Sequence, residues 1–252
     1  MSKAGSLRNM TFLEHLGELR TRIVLAALGI FVVAIAAYIF ISPLYAFLIA
    51  PLVDSVPGTE LNFLSPTEPF FVNLRIAAYA GLIAGAPWVL FQLWLFIAPG
   101  LTRAERGVAR PTLVLVLLLF VLGVAFVYYM LLPISLKFLL GMAQPGLKPM
   151  LTQERYFGFI TGLCLAGGLL FELPAVLGLA GYLRLVTSRY LIRRTAHALI
   201  ILMIVAAIIT PTGDAFTMMV LTAPLMGLYL FSVGVVWVIE RRRGSENPQG
   251  VV

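Results

Sequence analysis

The residues best suited to chemistry lie near the start of the chain, where "HLGELRTR" (His15 to Arg22) places a histidine, a glutamate and two arginines within eight residues. This segment runs directly into "IVLAALGIFVVAIAAYIFI", nineteen residues without a charge, close to the length of about 20 residues that a helical membrane span needs. Arginines are common at the ends of such spans. Glu18 has no such role, so its presence needs a separate explanation.

Glu18 has two interpretations from the residues alone. It lies four residues before Arg22, and an i,i+4 ion pair stabilises an isolated helix by about 0.2–0.5 kcal/mol. Exposed pairs are common and weak, so the spacing favours a helix-surface pair. The functional alternative is a carboxylate that receives a cationic ligand on a basic face. Glu105, between Arg103 and Arg106 in "LTRAER", likewise suits a helix start, where the macrodipole favours acids.

Glu172, in "GGLLFELPAVLG", lies in the middle of an apolar region with no basic residue within four positions. A charge at the centre of a membrane costs at least about 2.5–3.5 kcal/mol on insertion scales. The carboxyl group must therefore face a partner or a cavity, or hold a proton, and such residues are functional by default. Pro174 lies two residues later and leaves a backbone carbonyl without its helical donor.

Other candidates are few. Asp214, in "TPTGDAF", either caps the last apolar helix or has a functional role. The two histidines, His15 and His197, lie in different segments, and no spacing indicates a metal site. No G-x-x-x-x-G-K-[ST] motif for an ATPase and no G-x-S-x-G motif for a hydrolase occurs. We predict a protein that is not an enzyme and has no metal or cofactor.

Composition indicates an all-α, polytopic membrane protein. Hydrophobic residues make up 61% of the 252 residues and charged residues 12%, about half the charged fraction of a soluble domain. Alternating strands of about ten residues, which mark a membrane barrel, do not occur. We expect one integral-membrane domain over 1–252, with a cytoplasmic tail over 240–252.

Six helical spans are predicted from the apolar runs. The fifth is the weakest, because "AHALIILMIVAAIIT" has only fifteen residues, about 22 Å of helix. Either it extends back over Arg193 and Arg194, or the bilayer thins there. Pro111 and Pro133 are expected to bracket the third span. The spans lie near 23–42, 70–97, 112–132, 156–181, 194–210 and 215–239.

Basic residues are distributed asymmetrically. With the N-terminus inside, fourteen of the eighteen lysines and arginines lie in inner segments, as the positive-inside rule predicts for two cytoplasmic termini. They are spread over separate loops, so the net charge of +7 does not indicate nucleic-acid binding. The fourteen are Lys3, Arg8, Arg20, Arg22, Arg103, Arg106, Arg110, Arg184, Arg189, Arg193, Arg194, Arg241, Arg242 and Arg243.

Two outer segments are long. Residues 43–69 contain five prolines and an apolar piece, "LYAFLIAPLV", that is expected to lie along the membrane surface. Residues 133–155 are expected to form a second long loop, and together they predict a folded cap over the bundle. The pairs Gly81-x-x-x-Gly85 and Gly158-x-x-x-Gly162 predict close helix packing.

Several motifs together resemble a known family. The pattern His15-Leu16-x-Glu18-Leu19-Arg20-x-Arg22 before the first span is similar to the signature of the TatC family, the receptor subunit of the twin-arginine protein translocase. Further motifs match in the right order over nearly the whole chain. They are Ala50-Pro51-Leu52, "FIAPGLTRAER" (Phe96 to Arg106), "FELP" (Phe171 to Pro174) and "TPTGDAF" (Thr210 to Phe216).

This resemblance implies a curved, glove-like bundle of six transmembrane helices in the inner (cytoplasmic) membrane. It implies a receptor for twin-arginine signal peptides that exports folded precursor proteins with the proton-motive force. The peptide-binding carboxylates would be Glu18 and Glu105, with His15, Arg20 and Phe96 close by. Carboxylates suit this ligand because the planar guanidinium forms bidentate bonds that lysine cannot reproduce.

The resemblance also implies partner sites inside the membrane. Glu172 and Pro174 would lie on a concave face that engages partner spans, and Pro51 would lie in the outer cap. The last two spans, with Asp214, resemble the docking surface for the single-span TatA and TatB subunits. Membrane lipids and other copies of the chain in the receptor complex are further expected partners.

Two other function classes remain open from the residues. The first is a proton-coupled small-solute transporter with Glu172 as the titrating group. The second is a structural or lipid-binding scaffold that uses the basic cytoplasmic face. A transporter would exchange solute by itself, whereas a receptor would be inert alone and would bind arginine-pair peptides.

Overall fold

The computed structural model describes residues 12–97, 103–142, 150–209 and 215–246. These residues are almost wholly helical, apart from a two-stranded parallel sheet of β1 (Leu61–Asn62) and β2 (Leu151–Thr152). The ten α-helices of this described part are α1 (Phe12–Ile39), α2 (Ile41–Ser55), α3 (Glu68–Ile97), α4 (Arg103–Phe126), α5 (Leu132–Gly141), α6 (Gln153–Phe171), α7 (Leu173–Tyr182), α8 (Ser188–Arg193), α9 (Thr195–Ile209) and α10 (Ala215–Glu246).

The predicted all-α, polytopic membrane fold is confirmed. The fifth predicted span corresponds to α9, whose 15 residues extend only about 22 Å. Because α8 ends at Arg193 and a turn at Arg194 precedes α9, the span does not extend back over the two arginines. Among the described residues, five segments are long and apolar enough to cross a membrane: His15–Ile39, Glu68–Phe96, Leu113–Gly141, Gln153–Tyr182 and Ala215–Arg241.

The bundle has two ends, which we name by their contacts. At the inner end, the His15 ring near the start of α1 stacks on Phe96 near the end of α3. At the outer end, Arg75 of α3 pairs with Glu154 of α6 (Nη1–Oε1, 3.0 Å). Thus α1 and α3 run antiparallel, as the predicted order of spans requires.

Small residues allow α1 and α3 to pack closely. A Cβ atom added at Gly81 would lie 2.7 Å from the Ala34 Cβ, and one at Gly85 would lie 3.4 Å from the Ile30 Cα. The predicted packing role of Gly81 and Gly85 is therefore confirmed. One turn closer to the inner end, Trp88 Nε1 donates a hydrogen bond to the Leu25 carbonyl (2.8 Å).

The packing predicted for Gly158 and Gly162 is wrong, because a Cβ at either position meets no described atom within 4 Å. The close approach of α6 to α4 occurs instead at Gly167, five residues after Gly162. There, a Cβ added at Gly123 of α4 would lie 2.6 Å from the Gly167 carbonyl oxygen. The same sequence motif therefore has a packing role in α3 and none of this kind in α6.

The third span is longer than its prolines predicted. Because α4 begins at Arg103, Pro111 lies inside the helix and not at its start. At the other end, a π-helical turn (Val127–Leu131) leads directly into α5. Pro133 lies in the first turn of α5, a position that tolerates a missing N–H. The first part of the long loop predicted over 133–155 is thus helical.

The segment after the first span is the helix α2, which packs against α3 and α5 and buries Pro51. Proline has no N–H, so the Phe47 carbonyl four residues earlier has no helical donor. The Tyr128 hydroxyl donates to that carbonyl (2.5 Å), and the Tyr156 hydroxyl donates to the next one, Leu48 (2.8 Å). These two tyrosines attach α2 to the outer half of the bundle.

Candidate functional site

Two helix faces meet at the inner end. His15, Glu18 and Arg22 are spaced three and four residues apart, which places them on one face of α1. Gln92 and Phe96 are four residues apart on α3. The His15 and Phe96 rings stack with a centroid distance of 4.4 Å and an interplanar angle of 17°. We call these five residues the inner mouth.

The centre of the inner mouth is a charged pair. Glu18 Oε1 lies 3.2 Å from Arg22 Nη2, which confirms the i,i+4 pair expected from the spacing. Arg22 Nη1 also donates a hydrogen bond to Gln92 Oε1 (3.3 Å), and Gln92 is 3% exposed. Gln92 was not predicted from the sequence. Its position one turn before Phe96 was the only local signal available.

The pair leaves polar atoms unsatisfied. Glu18 Oε2 and Arg22 Nε are buried and have no hydrogen-bond partner among the described residues. A carboxylate accepts several hydrogen bonds, and an unsatisfied buried polar atom costs about 1–3 kcal/mol. Glu18 therefore has unused capacity for a donor, and a second guanidinium is a donor of the right charge.

The other residues predicted for this site are placed differently. Arg20 is exposed and does not belong to the helix face formed by His15, Glu18 and Arg22.

Glu105 belongs to the first turn of α4, but its side chain lies outside the described residues. Asp214 also lies outside them. The structure therefore brings His15, Glu18 and Phe96 together.

Glu172 lies at a break in the fourth span, between α6 and α7. The break follows from Pro174, which cannot donate to the Leu170 carbonyl, and the Glu172 N–H instead bonds three residues back, to Leu169 (3.2 Å). Glu172 is 7% exposed, and both of its carboxylate oxygens are buried without a hydrogen-bond partner in the described part of the chain.

Glu172 also lines a groove of about 300 Å³ between α3, α4 and α7. It is the only ionisable side chain among the described residues of this lining. The groove thus combines a long apolar wall with one carboxyl group, an arrangement suited to an apolar helix that carries one polar group. The lining consists of Leu90, Leu93, Trp94, Leu113, Val116, Glu172, Ala175, Val176, Leu179, Ala180, Leu183 and Leu185.

Comparison with known proteins agrees with these features. The family described as "Sec-independent protein translocase protein (TatC)" matches residues 14–224. The chain belongs to the TatC family. It is therefore a component of a Sec-independent protein translocase, a multi-pass membrane protein with a role in transport.

Relatives and solved structures of TatC cover most of the chain. The TatC protein of Koribacter versatilis (strain Ellin345) is 34% identical over an alignment of 255 positions, which covers 97% of this chain and 94% of that protein. The chloroplastic TATC of Arabidopsis thaliana is 34% identical over 92% of this chain and 67% of its own length. A crystal structure of the twin-arginine translocase receptor TatC has a TM-score of 0.80 at 34% identity, covering 90% of this chain and all of the other.

In this TatC chain, the inner mouth and the Glu172 groove use different chemistry. The inner mouth has two charged side chains and a stacked ring pair near the end of the bundle. The groove has one carboxyl group in an apolar wall. Both Glu18 and Glu172 present an unpartnered carboxylate oxygen, and this shared property distinguishes them from Glu154, which pairs with Arg75 at the outer end.

Proposed function

We propose that this chain is the signal-peptide receptor and core subunit of a twin-arginine translocase, which exports folded proteins across the inner (cytoplasmic) membrane with the proton-motive force. The observation that carries the proposal is the Glu18 carboxylate, with one oxygen paired and the other without a described partner. The solved relative described as a twin-arginine translocase receptor supports it.

The chemistry of the inner mouth suits an arginine pair followed by an apolar segment. Glu18 offers a carboxylate to a guanidinium, and charge-assisted bonds of this kind are roughly twice as strong as neutral ones. The flat stack of His15 on Phe96 offers an aromatic surface next to it, on which a guanidinium stacks well. Glu105 supplies the second carboxylate in this proposal. Arg20, which is exposed, lies on α1 two residues from Glu18.

The proposed partner surface is the Glu172 groove. A carboxyl group without partners in an apolar wall favours a transmembrane helix that brings one polar group to it. We assign this groove to the single-span subunits TatA or TatB, with Pro174 producing the helix break at which the carboxyl group lies. The last two spans, with Asp214, form the second docking surface in the same proposal, and membrane lipids and further copies of the chain complete the complex.

The test is binding of a synthetic twin-arginine signal peptide to the full chain in lipid nanodiscs, compared with a twin-lysine peptide. We expect the arginine peptide to bind more tightly. Glu18→Ala and Glu105→Ala should each weaken its binding tenfold or more, because a charge-assisted contact contributes about 1.5–3 kcal/mol. Glu60→Ala, at an exposed acid of the outer segment, is the matched control. Equal binding of both peptides would overturn the proposal.

A proton-coupled solute transporter is the second candidate, favoured by the same unpartnered Glu172 carboxylate. The described lining of its groove is otherwise almost wholly apolar, so a polar solute would find few hydrogen-bond partners there. Solute counterflow by the purified chain in proteoliposomes, abolished by Glu172→Ala, would support the transporter. No counterflow with intact peptide binding would support the receptor.

A further inference from the structure

Arg22 occupies the position that the proposed function requires of a ligand. Its guanidinium bridges two helices, with Nη2 at 3.2 Å from Glu18 Oε1 on α1 and Nη1 at 3.3 Å from Gln92 Oε1 on α3. The pair is largely buried, with 17% of the Glu18 side chain and 26% of the Arg22 side chain exposed. A resident cation on a carboxylate competes with any cation that arrives from solution.

Glu18 and Arg22 do not make all the hydrogen bonds that their side chains are able to make. An arginine and a carboxylate can form two parallel hydrogen bonds, but here only one joins Glu18 to Arg22. Glu18 Oε2 and Arg22 Nε remain buried without a partner among the described residues. A ligand that supplies a bidentate guanidinium would satisfy Oε2, which the resident arginine leaves unsatisfied.

We propose that Arg22 is a resident competitor that holds Glu18 until a signal-peptide arginine replaces it, and that Gln92 retains the displaced guanidinium. This inference rests on the proposed function. The incoming guanidinium takes both oxygens of Glu18, and Arg22 gives up its Nη2 bond while keeping its Nη1 bond to Gln92. The amide oxygen of Gln92 is the acceptor that prevents the displaced cation from losing every hydrogen bond at once.

Because of the exchange, an arriving cation must bind Glu18 more strongly than Arg22 does. The resident group already makes one charge-assisted bond to Glu18, so a ligand gains little unless it makes more than one. The planar guanidinium makes two, whereas the lysine ammonium acts as a point charge. Arg22 therefore lowers the affinity of every cationic ligand by the same factor, and Gln92 is a positioning residue that acts through Arg22.

The test uses four forms of the full chain in nanodiscs: wild type, Arg22→Gln, Gln92→Leu and the double variant. Each is titrated with the twin-arginine peptide and the twin-lysine peptide. We expect Arg22→Gln to bind both peptides about threefold to tenfold more tightly, because the competing state is removed for each of them. Gln92→Leu frees Arg22 to pair with both oxygens of Glu18, which stabilises the competing state. It should therefore weaken arginine binding about tenfold, and it should have no effect once Arg22 is absent.

Failure of the inference can be told apart from failure of the proposed function. If the wild type prefers arginine and Arg22→Gln binds the arginine peptide equally or more weakly, Arg22 is a permanent part of the site and the inference is wrong. An equal effect of Gln92→Leu with and without Arg22 would indicate a packing role and would also contradict it. If the wild type binds both peptides equally, the proposed function is wrong.

Arg22→Lys is the second variant, for the case in which Arg22→Gln does not fold. It keeps the charge but cannot bridge Glu18 and Gln92 with two nitrogens, because lysine has a single terminal nitrogen. Tighter binding of both peptides is again expected. Thermal unfolding of each variant establishes that the chain is folded before its affinity is compared.

Discussion

The carboxylate of Glu240 accepts two hydrogen bonds from Ser188, one from the backbone N–H (3.1 Å) and one from the hydroxyl group (2.5 Å). Ser188 is the first residue of α8, and N–H groups in the first turn of a helix have no partner within the helix. Thr187 caps the same turn by accepting the Tyr190 N–H (3.2 Å). Through this contact α10 holds the short helix α8.

Replacing Glu240 should therefore loosen α8. Hydrogen bonds to a charged group contribute about 1.5–3 kcal/mol, so Glu240→Ala should accelerate amide hydrogen exchange over 188–193 by about tenfold to a hundredfold. Glu240→Gln keeps one acceptor oxygen and should have a smaller effect. Arg241→Ala, at the exposed neighbouring position, is the control. Unchanged exchange in Glu240→Ala would show that α8 is held by its apolar contacts alone.

The hydroxyl of Tyr128 should contribute to stability through the Phe47 carbonyl. Tyr128→Phe leaves that carbonyl without a donor, which costs about 1–3 kcal/mol. The loss should shrink when Pro51→Ala is also present, because alanine restores the backbone N–H that proline lacks. Thermal unfolding in nanodiscs of the two single variants and the double variant measures this coupling. Additive effects would mean that the hydroxyl bond does not replace the missing helical one.

Two glycines offer a matched comparison of packing. Gly81→Ala places a Cβ at 2.7 Å from the Ala34 Cβ, and overpacking of this kind costs about 1–3 kcal/mol. Gly158→Ala meets no described atom within 4 Å and should be neutral or stabilising by about 0.5–1 kcal/mol, since alanine favours the helix. The unfolding temperatures of the two variants, each compared with that of the wild type, measure these changes in stability. A larger loss for Gly158→Ala would contradict the packing of α1 on α3.

At Glu172, glutamine should be tolerated better than alanine. The carboxyl group lies in an apolar groove without a hydrogen-bond partner in the described part of the chain, so a neutral group that still forms hydrogen bonds can take its place. Export of a folded reporter with a twin-arginine signal, measured in cells that carry each variant, tests this. Equal loss of export in Glu172→Gln and Glu172→Ala would show that the charge itself is needed.

Much of the fold was predictable from the sequence because the membrane restricts the choices. A segment in hydrocarbon must satisfy its backbone hydrogen bonds internally, so apolar runs of sufficient length become helices. The pair of Glu18 with Arg22 was predictable for a similar local reason, since a spacing of four residues on a helix brings the side chains together. Glu172 was identified as a functional candidate because placing a charge at the centre of a membrane costs free energy.

Contacts between helices were not predictable in this way. Gln92 reaches Arg22 across seventy positions of the chain, and nothing local to either residue indicates that these two faces meet. The same Gly-x-x-x-Gly motif packs against α1 where it occurs in α3, whereas in α6 its glycines have no described atom within 4 Å of an added Cβ. Pro133 was expected to end a span, but a π-helical turn carries the helix past it.

The sequence by itself determined that the apolar segments are helices, and it determined which residues are able to bear charge. These properties depend on composition and on spacing within one helix. Only the tertiary structure decided that Arg22 lies between Glu18 and Gln92, and that the Glu172 carboxyl group lines an apolar groove. Such contacts depend on which faces of two helices meet and at which point along the bundle axis. Both are set by side-chain packing over the whole bundle.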